Sequence, residues 1–108
     1  MGLFRKKVSQ KVDHDRELIE ENTKSIESLI ILAKDNNAIV EQLKEIKEKI
    51  KYLIASDEDK VYDLDKKIKN IIDDTRIALI KADGETSKKV DDAITQIKLA
   101  ITDREVKL

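Results

Sequence analysis

The residues of this chain best suited to chemistry are one histidine and the acids around it. His14 lies in the run Asp13-His14-Asp15-Arg16-Glu17, which offers nitrogen and oxygen ligands. A zinc site usually needs three or four convergent ligands, several of them His or Cys, and this chain has one His and no Cys. A di-iron bundle site needs Glu three residues before His, where Lys11 stands. We therefore predict a solvated His14, no metal and no cofactor.

Acidic pairs occur at Asp73-Asp74 and Asp91-Asp92. Glycosidase-type catalysis needs two carboxylates that face one cleft, whereas neighbouring residues on a helix point about 100° apart. The chain also lacks a nucleophile beside a base, and its two glycines are too few for a phosphate-binding loop. The sequence predicts that the protein is not an enzyme and has no small-molecule substrate.

Composition narrows the class of protein further. Hydrophobic residues make up 40% of the 108 residues and charged residues 42%, with 22 basic side chains against 23 acidic ones. Such a balance gives no general attraction to nucleic acid, so we predict no nucleic-acid partner. No apolar run approaches the roughly 20 residues that span a bilayer, and no apolar signal region follows the N-terminus. We expect no transmembrane segment and a cytoplasmic location.

The spacing of the apolar residues predicts an all-α fold. Ile, Leu, Val and Ala recur at alternating intervals of three and four, as in the stripe Ile39, Leu43, Ile46, Ile50 and Leu53. We predict a single domain over 1–108, an antiparallel bundle of about four helices near 7–34, 37–55, 57–82 and 86–104. The alternative is a long two-helix hairpin, bent only near 55–56, that dimerises into a four-helix bundle.

Three short segments carry the signals that end and start helices. The Asn pair at 36–37 could end the first helix or cap the second. Ser56 could cap the third helix, with Asp59 completing a capping box. Gly84 suits the position that follows a helix end, and 86–87 then offers a new cap.

A faint internal repeat accompanies this layout. The apolar stretch 29–32 precedes Asp35, the stretch 77–80 precedes Asp83, and the two Asp residues are 48 positions apart. Each half would be a long helix followed by a shorter one. Duplication and chance similarity between two helices rich in Ile and Lys both explain the repeat.

Polar residues interrupt the predicted stripes. Asp15, Asn22 and Asn36 fall in one heptad series of the first helix, and Thr75 falls in the stripe of the third. A buried Asn can fix helix register at a cost in stability. The alternative places these residues at an exposed edge of the bundle.

Two segments are apolar on all sides of the helix, although a small bundle needs only one stripe. They could pack against two neighbours within the monomer, or form an interface with a partner. We predict a non-enzymatic structural or protein-protein interaction protein that binds copies of itself or another helical protein. The predicted interface residues are Ile26, Leu29, Ile30, Ile31, Leu32, Ile77, Leu79 and Ile80.

The N-terminus joins large apolar residues to cations, and the segment 1–7 could remain disordered. An alternative function follows from it, a peripheral membrane-surface adaptor that binds anionic lipid weakly. The competing interpretation is a frayed helix start, or apolar side chains that cover the end of the bundle. The candidate membrane residues are Leu3, Phe4, Arg5, Lys6 and Lys7.

Overall fold

The protein is a bundle of four helices. The computed structural model describes the backbone of residues 2–107 and the side chains of residues 10–106. Helix α1 spans Gly2–Leu32, α2 spans Asn37–Lys51, α3 spans Asp59–Lys81 and α4 spans Lys88–Lys107. The prediction of an all-α bundle of about four helices is confirmed. The alternative of two long helices is wrong, because the chain also turns after α1 and after α3.

The packing order makes two pairs of neighbouring helices parallel, α1 with α3 and α2 with α4. α1 contacts α2 and α3, and α4 contacts α3 and α2, so α1 lies diagonally opposite α4, and α2 opposite α3. Three side-chain bonds between α1 and α3 share one spacing of 48 residues: Lys11 with Asp59, Glu21 with Lys69, and Ser28 with Arg76. Residue numbers of the bonded partners increase together along the two helices, so α1 and α3 run in the same direction.

Because α1 and α3 run in the same direction, the connections between the helices lie at fixed ends of the bundle. The α1–α2 and α3–α4 turns lie together at one end, which we call the turn end. The start of α1, the α2–α3 connection and the end of α4 lie at the opposite end. The two hairpins are thus arranged side by side, in the register of the sequence repeat.

Aliphatic side chains from all four helices fill the interior. Ile26, Leu43 and Ile97 are among the fully buried ones, each on its predicted stripe. Burial of an Ile or Leu side chain contributes roughly 1.5–3 kcal/mol. On α3, Ile72 is fully buried, whereas the neighbouring Ile71 is only half-buried and packs against the edge of the core. α3 contacts two helices, so its apolar face is wider than one stripe.

Side-chain caps begin two of the helices as predicted. Asn36 caps α2, since its Oδ1 accepts a hydrogen bond from the Ile39 N–H at 3.3 Å. Ser87 caps α4, since its Oγ accepts from the Val90 N–H at 3.2 Å. The Asn36 Nδ2 also donates to the Thr86 Oγ1 at 3.0 Å, which joins the two turns.

α3 ends in a Schellman motif. The Asp83 N–H donates to the Ile80 carbonyl at 3.2 Å, and the Gly84 N–H donates to the Leu79 carbonyl at 2.9 Å. Asp83 therefore occupies the position that we predicted for Gly84, and both have positive φ, +56° and +77°. A Cβ on Gly84 would lie 2.9 Å from the Leu32 carbonyl oxygen, so the adjacent turn requires glycine there.

The connection between α2 and α3, residues 52–58, is not helical, and we call it the crossover. The predicted boundaries 37–55 and 57–82 are wrong here, because α2 and α3 lie on a diagonal and the chain must cross the end of the bundle. The Ser56 Oγ accepts from the Glu58 N–H at 3.1 Å, so Ser56 shapes the crossover. Contrary to the prediction, Ser56 does not cap α3, which begins at Asp59 with Glu58 at the N-cap position and no capping hydrogen bond from the Glu58 side chain.

Candidate functional site

A cluster of charged side chains lies inside the bundle, beside the crossover. Asp15 of α1, Asp65 of α3 and Arg104 of α4 are each 0% exposed, and we call them the buried charge cluster. The Arg104 Nε donates to the Asp65 Oδ1 at 2.7 Å, and its Nη2 donates to the Asp15 Oδ2 at 3.2 Å. Charge-assisted hydrogen bonds of this kind are stronger than neutral ones. The cluster thereby joins three helices, including the diagonal pair α1 and α4.

The same side chains hold the crossover in place. The Arg104 Nη2 donates to the Ile54 carbonyl at 2.8 Å, and the Ser56 N–H donates to the Asp15 Oδ2 at 2.8 Å. Backbone groups outside helices need such partners where they meet the protein interior. The crossover is therefore bound to α1 and α4 through two members of the cluster.

The cluster controls the protonation of one of its acids. Burial, and after it a hydrogen bond with Asp15, raise the pKa of Asp65 to about 7, against the lowering effect of the Arg104 guanidinium. The Nε and Nη2 of Arg104 lie on one edge of the guanidinium, so the two carboxyl groups are side by side. A single proton on the pair removes their repulsion and leaves a neutral cluster with Arg104.

This protonation also matches the hydrogen bonds of the cluster. The Asp15 Oδ1 and Asp65 Oδ2 have no hydrogen-bond donor among the described residues, and a proton held between the carboxyl groups provides one. Both acids are fully buried in the part of the chain that the structure describes. The arrangement therefore binds the protein's own helices and backbone.

Further polar residues of the predicted stripes are also buried. The Asn22 Nδ2 donates to the Asp65 backbone carbonyl at 3.1 Å, and the Thr75 Oγ1 donates to the carbonyl four residues earlier at 2.7 Å. The interpretation that placed Asp15, Asn22 and Thr75 at an exposed edge is wrong, since all three are buried. Asn36 is half-buried in the turn, where it acts as a cap.

Asp65 and Arg104 were not among the residues that the sequence patterns singled out. Arg104 follows Ile101 by three residues and so continues the α4 stripe, and Asp65 lies four residues after Val61 and three before Ile68. The spacing places both residues on the apolar stripes. Their charge, however, suggests that the stripe ends or is interrupted there, and so hides their burial. Only the packing of three helices reveals that their charges compensate each other.

The predicted interface residues divide into two groups. Ile26, Leu29 and Leu79 are each 0% exposed and belong to the core, so they offer no surface to a partner, and Ile30 packs against the core half-buried. The other four residues remain exposed, and we call them the turn-end patch: Ile31 at 69%, Leu32 at 41%, Ile77 at 53% and Ile80 at 58%.

The turn-end patch occupies one end of the outer face formed by α1 and α3. Ser28 bonds to Arg76 across the groove between these helices, and Leu32 and Ile80 follow one turn later on the same sides. Ile77 and Ile31 lie at neighbouring positions farther out. Exposed large aliphatic residues grouped in this way are typical of a contact surface for another protein.

The other half of this face is polar. A groove of about 510 Å³ opens there between α1 and α3, and the exposed His14 lies on its rim. Its charged lining residues are two acids and two lysines, so the groove has no dominant charge with which to select a small ion. The charged lining residues are Glu17, Glu21, Lys66 and Lys69.

The candidate membrane segment lies largely outside the described structure. The side chains of Leu3, Phe4, Arg5, Lys6 and Lys7 fall outside residues 10–106, so the membrane-adaptor hypothesis stays a prediction. Across the helices that the structure describes, none combines the length and apolar character needed to cross a membrane.

Comparisons with known proteins add no relative to this description. No protein-family model matches the chain, and searches of the curated proteins and of the solved structures find no match either.

Proposed function

We propose that this protein is a non-enzymatic interaction module that associates with helical partners, and first with a second copy of itself, through the α1–α3 face. The observation that carries the proposal is the turn-end patch, in which four large aliphatic side chains are exposed although the core beneath is already filled. Removal of such a patch from water is the main driving force of protein association. A net charge of −1 opposes self-association only weakly.

Sedimentation equilibrium of the purified protein from micromolar to millimolar concentration tests this proposal. We expect a reversible dimer for the natural sequence and a monomer for the double variant Ile31→Lys, Ile80→Lys. Dimerisation of the variant would remove the two charged ammonium groups from water, which costs free energy. Leu99→Lys is the matched control, since Leu99 on α4 is 54% exposed but lies outside the patch. A natural protein that stays monomeric at every concentration would refute the proposal.

A further inference from the structure

We propose that the second copy docks on the α1–α3 face with its helices parallel to those of the first, so that α1 of each copy lies over α3 of the other. This inference rests on the self-association proposed above and specifies its geometry. It depends on the register of α1 and α3, on the residues of their outer faces, and on the order of charges along them.

The register between α1 and α3 fixes which residues lie at one level of the face. Cross-helix partners are 48 residues apart, as in the 2.7 Å hydrogen bond from Arg76 Nη2 to Ser28 Oγ. Lys24 of α1 is therefore level with residue 72, one position before Asp73 of α3. By the same spacing Glu17 is level with residue 65, one position before Lys66.

Each helix presents an outer stripe of three exposed residues. Residues seven apart lie on the same side of a helix, with a drift of about 20° that is equal for both helices. The α1 stripe reads acidic, basic, apolar toward the turn end, and the α3 stripe reads basic, acidic, apolar. Their members are Glu17, Lys24 and Ile31 on α1, and Lys66, Asp73 and Ile80 on α3.

A two-fold axis parallel to the helices matches these stripes. It places Glu17 opposite the second copy's Lys66 and Lys24 opposite its Asp73, and symmetry makes each pair twice. At the turn end, Ile31 then meets the second copy's Ile80, so the two turn-end patches cover each other. Opposite charges meet at two levels of the face and apolar residues meet at the third. This match favours a second copy as the partner and the parallel direction of its helices.

The antiparallel arrangement of the same faces fails on the same charges. A two-fold axis perpendicular to the helices and centred on the stripes would bring Lys24 against Lys24 and Asp73 against Asp73. It would also place Glu17 against the apolar Ile31. Like charges in contact disfavour this interface strongly. An axis shifted to midway between Glu17 and Lys24 would pair opposite charges but would leave both turn-end patches uncovered. Only the parallel arrangement therefore satisfies the charges and the apolar residues together.

The stripe charges are free to take part in such a contact. Lys66 bonds to Asp63 at 3.5 Å and Asp73 to Arg76 at 3.7 Å, both between side chains more than a third exposed. Exposed pairs of this kind contribute little to stability, so their rearrangement costs little. Lys24 and Glu17 form no ion pair with the other described residues.

Charge reversal at Lys24 and Asp73 tests the geometry. We expect Lys24→Glu and Asp73→Lys each to weaken dimerisation about tenfold, because an attraction becomes a repulsion at both symmetry-related positions. The double variant restores opposite charges and should return the dissociation constant to within about threefold of the natural value. Lys44→Glu, on the exposed side of α2, is the matched control and should change nothing.

The outcomes separate this inference from the self-association on which it rests. A monomeric natural protein would refute self-association itself. A dimer that is unaffected by either single reversal would show that another face associates, and would overturn only the geometry. A double variant as weak as the single variants would overturn the pairing of Lys24 with Asp73.

Cysteine cross-linking tests whether the helices of the two copies run parallel or antiparallel. The chain contains no natural Cys, so disulfides can form only at the introduced positions. We expect a mixture of Lys24→Cys and Asp73→Cys proteins to form a disulfide between the two species under mild oxidation. Cross-linking of Lys24→Cys to itself, with none between the species, would establish the antiparallel arrangement and overturn the parallel one.

Discussion

Asp15, Asp65 and Arg104 lose all contact with solvent, and such removal costs several kcal/mol for each ion. Arg104 offsets this cost with hydrogen bonds to both acids and to the Ile54 carbonyl. Replacement of such clusters by apolar residues is often neutral for stability, whereas loss of one member leaves a buried charge without a partner. We expect the buried charge cluster to select one arrangement of helices and crossover more than it stabilises the bundle.

The raised pKa of Asp65 predicts a pH dependence of stability. The folded protein holds the Asp65 proton up to about pH 7, whereas the ordinary value is 3.8, so unfolding releases this proton between those values. The contribution of Asp65 to the free energy of unfolding thus falls as pH rises from about 4 to about 7, by at most about 1.4 kcal/mol per pH unit. Above that range the contribution is flat.

Asp65→Asn should remove this slope, because an amide resembles the protonated acid and does not titrate. Relative to the natural protein, the variant should gain stability as the pH rises from about 4 to about 7, as measured by urea unfolding. Asp63→Asn, an exposed acid on the same helix, is the control and should not show this gain. Parallel pH profiles for the natural protein and Asp65→Asn would contradict the shared-proton arrangement.

At the scale of residues, sequence patterns pointed to only one of the three members of this cluster, Asp15. Asp15 and Asn22 interrupt an apolar series, which marks them as special but leaves open whether they are buried. Arg104 lies 89 residues from Asp15, and no local pattern shows that the two side chains meet. Periodicity places a residue on a face, whereas the compensation of a buried charge depends on tertiary contacts.

At the scale of elements, the predictable parts are those decided by local chemistry. The caps Asn36 and Ser87 act within three residues of their partners, so side-chain type alone indicates them. The crossover escaped prediction because its apolar residues continue the helical rhythm of α2. Its extended form follows from the diagonal placement of α2 and α3, which is a property of the whole bundle.

The α3–α4 turn gives a prediction at this scale. Gly84→Ala should destabilise the protein by about 1–3 kcal/mol, because Ala disfavours positive φ and its Cβ would meet the Leu32 carbonyl oxygen. The measurement is the free energy of unfolding in urea. Asp83→Gly is the control at the neighbouring positive-φ position, where it should be neutral or stabilising. A Gly84→Ala protein of natural stability would show that the two turns are not tightly apposed.

At the scale of the whole molecule, the helix count was predictable and the neighbour relations were not. Four apolar stripes with breaks between them indicate four helices, but the same stripes permit several orders around a bundle. The parallel α1–α3 pair follows from contacts such as Lys11 with Asp59. The sequence repeat has the same spacing of 48 residues as the contacts between α1 and α3. Sequence similarity alone, however, could not distinguish this repeat from chance.

Arg104 links both hairpins and the crossover, so its loss should weaken the molecule as one unit. Arg104→Met should lower the free energy of unfolding by about 3–5 kcal/mol, because two acids and a carbonyl lose their donor. Arg16→Met is the matched control, since exposed Arg16 bonds to Asp13 alone among the described residues, and it should cost less than about 0.5 kcal/mol. Urea unfolding measures both variants, and equal losses would refute a special role for Arg104.

The shared direction of α1 and α3 has a consequence for anything attached to this protein. α1 starts and α4 finishes beside the crossover, so a fluorescent label or surface tether fused at either side would project away from the turn end. In a parallel pair, the tethers of both copies would emerge next to each other, on bundles only 22 by 19 Å across. Pairing would then bring two attached cargoes into immediate proximity, which energy transfer between two fused fluorophores would register.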